Sequence, residues 1–169
     1  MKNVFFYKLG DLAKDLHGSE LADISISIIS EGKEITGLYF GRREPQGAEV
    51  AEAPLIRDAA RQLRLYLAGK LRAFDLPLGP RGTDFQKAAW RALLEIPYGE
   101  TRSYGEIAGD IGRPKAARAV GLANNRNPIS IIVPCHRVIG GSGALVGYAA
   151  GLSLKRYLLD LERSVLEEG

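Results

Sequence analysis

Residues Ser103–Asn124 read SYGEIAGDIGRPKAARAVGLAN, and two helix starts are written into them. Ser103 and Glu106 have the spacing of a capping box, in which each side chain accepts the other residue's backbone N–H, so a short helix should run through Asp110. Gly112-Arg113-Pro114 is a turn, and Pro114 stands where a first helical residue is expected, since that position needs no N–H. Lys115–Asn124 follows as an alanine-rich helix. Two short helices across a glycine-containing turn spell helix-turn-helix, with Lys115–Asn124 as the recognition element. An ordinary helical hairpin has the same spacing. The basic, small-residue surface of the second helix favours the nucleic-acid-reading form.

The charge pattern agrees. A net charge of +3 is modest, but no acidic residue occurs between Asp110 and Asp160, while Arg113, Lys115, Arg118, Arg126, Arg137, Lys155 and Arg156 all do. A field of one sign over such a length suits a polyanion, DNA phosphates being the obvious one. With 46% hydrophobic and 25% charged residues, the 169-residue chain reads as a soluble globular protein of one or two domains. No apolar run approaches a membrane span and no signal peptide is apparent.

Downstream of the helices lies Ile131-Ile132-Val133-Pro134-Cys135-His136-Arg137-Val138. The polar turn Asn124–Pro128 should lead into a strand over Ile129–Val133, which Pro134 would end because it cannot donate to a ladder. Cys135 is the sole cysteine, so an internal disulfide is excluded, and a useful thiol fits a reducing cytosol. A free thiol, with a pKa of about 8.5, needs a base or a positive field to act as a nucleophile. His136 and the surrounding bases offer both. Adjacent side chains on a strand diverge, so His136 reaches Cys135 directly only if the backbone turns between them; otherwise a water must bridge. A lone cysteine is more often a small buried hydrophobe, but its neighbours here favour chemistry.

The first half reads α/β. Val4–Tyr7 is a short strand; Ile24, Ile26 and Ile28 alternate with serines as in a half-buried strand; and Glu31-Gly32-Lys33 turns into a second strand over Glu34–Phe40. Gly41–Gly47 is a loop, and Ala48–Ala68 a helix with Leu55, Ala59, Leu63 and Tyr66/Leu67 on one face. His17 reads as a surface residue. Residues 71–82 are rich in Pro and Gly and read as extended linker. The expected boundaries are 1–76 for an N-terminal α/β domain, 77–82 for the linker and 83–169 for the domain carrying the site. Thr83 and Gln86 form another capping box, opening a helix with Phe85, Ala88, Ala92 and Leu93 inward and Trp90 in the core or at a domain interface rather than against a ligand. Gly140–Gly143 is a flexible, wing-like loop. Ser153 is expected to cap a last helix with Leu154, Leu158, Leu161 and Val165 inward and Glu162 at the edge of that stripe, from where it can turn in to orient a histidine.

Asn127-Pro128, Pro134-Cys135-His136-Arg137-Val138-Ile139 and Gly147-Tyr148, together with Tyr104-Gly105-Glu106-Ile107-Ala108, Arg118-Ala119-Val120-Gly121 and Glu162, resemble the signature of the O6-alkylguanine-DNA alkyltransferases. The resemblance is close over the C-terminal half and present in outline over the N-terminal half. It implies an α/β protein: a small ribonuclease H-like N-terminal domain and a winged helix-turn-helix-like C-terminal alkyltransferase domain. It implies transfer of a methyl or larger alkyl group from guanine O6, and less well from thymine O4, in duplex DNA to Cys135. His136 would be a base acting through water, Glu162 its orienting partner, Tyr104 the proton donor to the purine, and Asn127 the organiser of the turn behind the cysteine. Tyr148, Val138, Ala149 and Pro134 would line the base pocket, with Ala149 where many members have serine. Ala116 and Ala117 would lie in the minor groove, Arg118 would fill the space of the flipped base, and Lys115, Gly121, Asn125, Arg126 and Ser103 would complete the DNA-facing set. No cofactor is implied, and one cysteine with two histidines is poor material for the zinc site that some members carry. The expected state is a monomer, cytoplasmic and nucleoid-associated.

Transfer from oxygen to sulfur leaves a thioether, which offers water no carbonyl to attack, so the protein should react once. Rival readings are a non-catalytic binder of alkylated DNA, which would lack the cysteine; a redox-sensing helix-turn-helix regulator, which would need base-reading side chains on Lys115–Asn124; and a cysteine hydrolase on another fold, which leaves the helix-turn-helix unexplained.

Overall fold

Strand β1 (Lys2–Lys8) pairs antiparallel with β2 (Ser25–Glu31), and β2 with β3 (Glu34–Phe40), closing the hairpin expected at Gly32. These strands belong to a computed structural model that describes Met1–Gly169, in which the chain divides into two compact units, Met1–Pro80 and Arg81–Gly169. Strand β4 (Glu49–Val50) adds parallel to β1, giving the order β3-β2-β1-β4. Strand β2 is not half-buried as its alternation suggests: Ser27 and Ser30 are buried along with Ile26, Ile28 and Ile29. Ser27 tolerates this because its hydroxyl donates to the Gly41 carbonyl at 2.7 Å and accepts the Arg43 N–H at 2.8 Å.

A single turn, α1 (Leu9–Leu12), follows β1. Helix α2 (Pro54–Leu67) begins later than Ala48, because Glu49–Val50 is drawn into the sheet and Pro54 fixes the first turn. Its buried face is Ile56, Ala59, Ala60, Leu63, Tyr66 and Leu67, and Gly69 at φ 74° ends it. Residues 71–82 are extended but not loose. Gln62 holds Asp75 through both ends of its amide, at 2.8 and 2.9 Å, and Ile35 on β3 binds Pro77 and Gly79 at 2.8 and 2.9 Å. His17 is exposed, its Nε2 bonded to the Gly10 carbonyl.

In the second unit α3 (Asp84–Leu94) is capped by the Thr83–Gln86 box. Its fully buried face is Ala89, Trp90 and Leu93, so Phe85, Ala88 and Ala92 flank the stripe rather than form it. Trp90 is core, its indole N–H donating to the Ala123 carbonyl at 2.9 Å. Helix α4 (Tyr104–Asp110) carries the Ser103–Glu106 box as expected. Helix α5 (Ala117–Asn125) starts two residues later than the sequence suggests. Pro114 and Lys115 remain in the turn, which Ala116 closes by donating to the Arg113 carbonyl at 2.9 Å.

Two-residue strands β5 (Arg102–Ser103) and β6 (Val138–Ile139) pair in parallel, and the wing-like loop follows β6 directly. The last helix, α6 (Leu152–Glu168), is preceded by Gly151 at φ 94°, so Ser153 lies inside its first turn and is not the cap. Its buried face is Leu154, Lys155, Leu158 and Glu162, with Leu161 and Val165 at the margins. No helix is long and apolar enough to cross a membrane.

Candidate active site

The apolar run Ile129–Val133 is not a strand. It coils into consecutive tight turns, Val133 N–H donating to Ile129 O at 3.0 Å, Ile132 N–H to Ser130 O at 2.9 Å and Cys135 N–H to Val133 O at 2.8 Å. Asn127 imposes this, because its amide accepts the Ile129 N–H at 3.0 Å and donates to the Val133 carbonyl at 2.8 Å. A side chain that takes both backbone groups leaves the strand ladder nothing to pair. Within the coil Ile131 sits at φ 70°. A β-branched residue there costs on the order of 1–3 kcal/mol and persists because its surroundings over-determine it.

Cys135, His136 and Arg137 then form one turn of 3-10 helix. The backbone therefore does turn between the cysteine and the histidine, placing their side chains about a third of a turn apart. His136 is fully buried, and its Nε2 lies 2.7 Å from Glu162 Oε2. The Glu162 carboxylate is buried as well. It also receives Arg137 Nε at 2.8 Å, Arg137 Nη2 at 3.1 Å and the Gly99 backbone N–H at 2.9 Å. Arg137 Nη1 goes to the Ile96 carbonyl at 2.8 Å.

Burial pushes the Glu162 carboxyl up, but hydrogen bonds and charge from His136 and Arg137 outweigh it and hold it at about 2. An ionised carboxylate only accepts, so His136 Nε2 carries the hydrogen and Nδ1 is the basic nitrogen. Burial lowers the His136 pKa despite Glu162, which favours the neutral imidazole that a general base requires. Cys135 is 4% exposed, and burial raises its pKa; the Asn127 amide and the Lys155 charge work in the opposite direction. The resting group is a thiol, so the site needs its base.

Tyr104 opens α4 and donates to the Val146 carbonyl at 3.2 Å. Burial, then the charge of Cys135, raises the pKa of its hydroxyl, and the same two causes act more strongly on Tyr148. Both phenols therefore keep their protons. Pro134 and Val138 are buried beside it, while Ala149 is exposed.

A groove of about 1080 Å³ runs beside Tyr104, lined by Lys115, Ala116, Ala117, Arg118, Gly121 and Asn125 of the predicted DNA-facing set. Ala119, Leu122, Val146 and Gly147 complete it, and Leu122 is exposed. Arg126 is exposed outside this lining, and Ser103 spends its hydroxyl on the α4 cap. Two members of the basic run are not surface charges, since Arg137 and Lys155 are buried. Sequence reading did not single out Lys155, Gly99 or the role of Arg137. Lys155 was findable, three residues before Leu158 and seven before Glu162 on the inward face of α6.

Residues 84–164 match the family model described as 6-O-methylguanine DNA methyltransferase, DNA binding domain, and residues 25–80 the one described as its ribonuclease-like domain. The chain belongs to the 6-O-methylguanine DNA methyltransferase family. A methylated-DNA–protein-cysteine methyltransferase of Methanosarcina acetivorans is 55% identical over 148 residues, 86% of this chain and 95% of that one. One from Mycobacterium leprae is 63% identical over 139 residues, 80% and 84% of the two chains. The crystal structure of the Mycobacterium tuberculosis O6-methylguanine methyltransferase superposes with a TM-score of 0.80 at 46% identity, covering 97% of this chain and 94% of that one. A complex of the M. tuberculosis protein with DNA superposes at 0.78 with 52% identity, over 83% and 88%. For a methyltransferase of this family, the rival readings as silent binder, redox regulator or unrelated hydrolase are not favoured.

Proposed function

We propose that this methyltransferase repairs O6-alkylguanine in duplex DNA, and less readily O4-alkylthymine, by moving the alkyl group to Cys135 in one irreversible turnover. The observation that carries this reading is a buried thiol on the same 3-10 turn as a neutral histidine whose other nitrogen is fixed by an ionised carboxylate. His136 takes the thiol proton at Nδ1, through a water, and the sulfur attacks the alkyl carbon. The S–C bond forms as the C–O6 bond breaks, and the electron pair stays with guanine. Tyr104 supplies the balancing proton to the purine ring. Asn127 holds the coil that presents Cys135. Tyr148, Val138, Ala149 and Pro134 surround the base.

Residues 83–169 carry both binding and chemistry in this scheme. Lys115, Ala116, Ala117, Gly121, Asn125 and Arg126 lie along the minor groove with Ser103 at its edge, small side chains allowing close approach. Extruding the base costs a few kcal/mol, and Arg118 fills the vacated stack. The protein acts as a monomer in the reducing, nucleoid-containing cytoplasm, without metal or cofactor. Intact mass after incubation with duplex DNA containing O6-methylguanine tests the reading. One methyl group on Cys135 per repaired base is expected, and turnover beyond one equivalent would end it.

A further inference from the structure

Lys155 is fully buried on α6, yet its hydrogen bonds go to no carboxylate. Its Nζ donates to the carbonyls of Val138 at 2.6 Å, Val146 at 3.0 Å and Gly147 at 3.3 Å. Three acceptors match the three hydrogens of an ammonium, whereas a neutral amine has only two to give. Burying an ammonium without a counter-ion is costly, so its presence here needs a reason.

The acceptors suggest that reason. Val138 follows the Cys135–Arg137 turn directly, and its own N–H donates to the Cys135 carbonyl. Val146 and Gly147 lie at the far end of the wing-like loop, and Tyr104 donates to the same Val146 carbonyl. One ammonium therefore ties both ends of the loop and bonds the carbonyl of the residue that directly follows the nucleophile's 3-10 turn. We propose that Lys155 is a positioning residue of the Cys135 site: it clamps the loop over residues 138–147 and supplies the buried cation that favours the Cys135 thiolate. This deepens the reading of Cys135 as alkyl acceptor and rests on it.

The other ionisable groups around Cys135 do not supply that charge. Tyr104 and Tyr148 keep their protons, His136 is neutral, and the Arg137 guanidinium is matched by the Glu162 carboxylate. Burial lowers the Lys155 pKa, and the charge of Cys135 raises it in return, as expected of two groups that stabilise each other's ionised forms.

The test is the pH dependence of Cys135 alkylation by iodoacetamide, a neutral probe that forms S–C and releases iodide without DNA. In Lys155→Met the midpoint should rise by about one pH unit or more, about tenfold slower reaction at neutral pH. Lys155→Arg, which keeps the charge, should hold the midpoint near wild type even if its rate falls. A clamp without electrostatic effect would lower both variants' melting temperatures and leave both midpoints in place, overturning the proposal. Should Lys155→Met not fold, wild-type protein gives the answer by nitrogen NMR. The Lys155 ammonium resonance should move at the pH where Cys135 loses its proton and stay still there in Cys135→Ser; an unmoved wild-type resonance overturns the proposal too. Failure of the repair reading would look different, as wild-type protein that iodoacetamide alkylates but O6-methylguanine DNA does not.

Discussion

Arg137 grips Glu162 with two nitrogens, Nε on one carboxylate oxygen at 2.8 Å and Nη2 on the other at 3.1 Å. Bidentate pairs of this kind fix orientation as well as charge. The same carboxylate orients His136, so the arginine next to the histidine in sequence returns to it in space through α6. Arg137→Met would leave a buried carboxylate short of two charge-assisted bonds. A loss of about 3–5 kcal/mol of stability is expected, read by denaturant or thermal unfolding. Arg137→Lys keeps the charge but not the fork and should recover only part of it. Wild-type stability in Arg137→Met would remove Arg137 from the support of the site.

Glu162→Gln tests the next link. An amide can still sit beside His136 but cannot stay ionised, so it no longer holds the hydrogen on Nε2 or supports the imidazolium that forms when Nδ1 takes the thiol proton. Alkyl transfer should slow by about ten- to a hundred-fold, a range usual for loss of a general base's support. DNA affinity should hardly change, since Glu162 is buried away from any phosphate. Single-turnover rates and equilibrium binding, measured side by side, separate the two. An unaltered transfer rate at neutral pH would leave the carboxylate with a purely structural part.

Acid should destabilise this protein in two stages. His136 has a pKa below its ordinary 6.5 because it is buried, so the unfolded chain binds that proton first and stability declines as pH falls through about 6.5. Glu162, held at about 2 against an ordinary 4.5, contributes stability that is complete above 4.5 and lost as pH falls toward 2. Thermal unfolding across this range should show both stages in the wild type, and Glu162→Gln should lack the lower one. A lower stage that survives in Glu162→Gln would assign it to other carboxylates.

These groups differ in how plainly the sequence announces them. Capping boxes are local, and both the Thr83–Gln86 and Ser103–Glu106 boxes form at their expected residues. Ile129–Val133 misleads because β-branched residues favour a strand, and what overrules them is the Asn127 side chain, which no periodicity contains. Ala48–Ala68 misleads for another reason: its first residues are drawn into a sheet by β1, about forty-five residues earlier in the chain. Glu162 is legible as a polar residue at the margin of an apolar stripe. Lys155 carries the same signature, but a lysine amid basic residues is easily counted with the surface charge. Only the carbonyls around Nζ show otherwise.

Arg118 is exposed in the first turn of α5 and lines the groove beside Tyr104. If it occupies the space of an extruded nucleotide, it matters only where there is a stack to invade. Arg118→Ala should therefore slow repair of duplex DNA by roughly ten- to a hundred-fold, the equivalent of losing a contact of about 1–3 kcal/mol in the flipped state. Reaction with a free alkylated base such as benzylguanine should hardly change. Tyr104→Phe is the control, because withholding the purine's proton should impair both substrates. A simple phosphate contact by Arg118 predicts a different pattern: binding would weaken in a salt-dependent way, and saturating protein would restore the duplex rate. Rates measured at saturation, at two salt concentrations and on both substrates, therefore distinguish the roles. Equal losses on free base and duplex would show that Arg118 acts on the chemistry rather than on the stack.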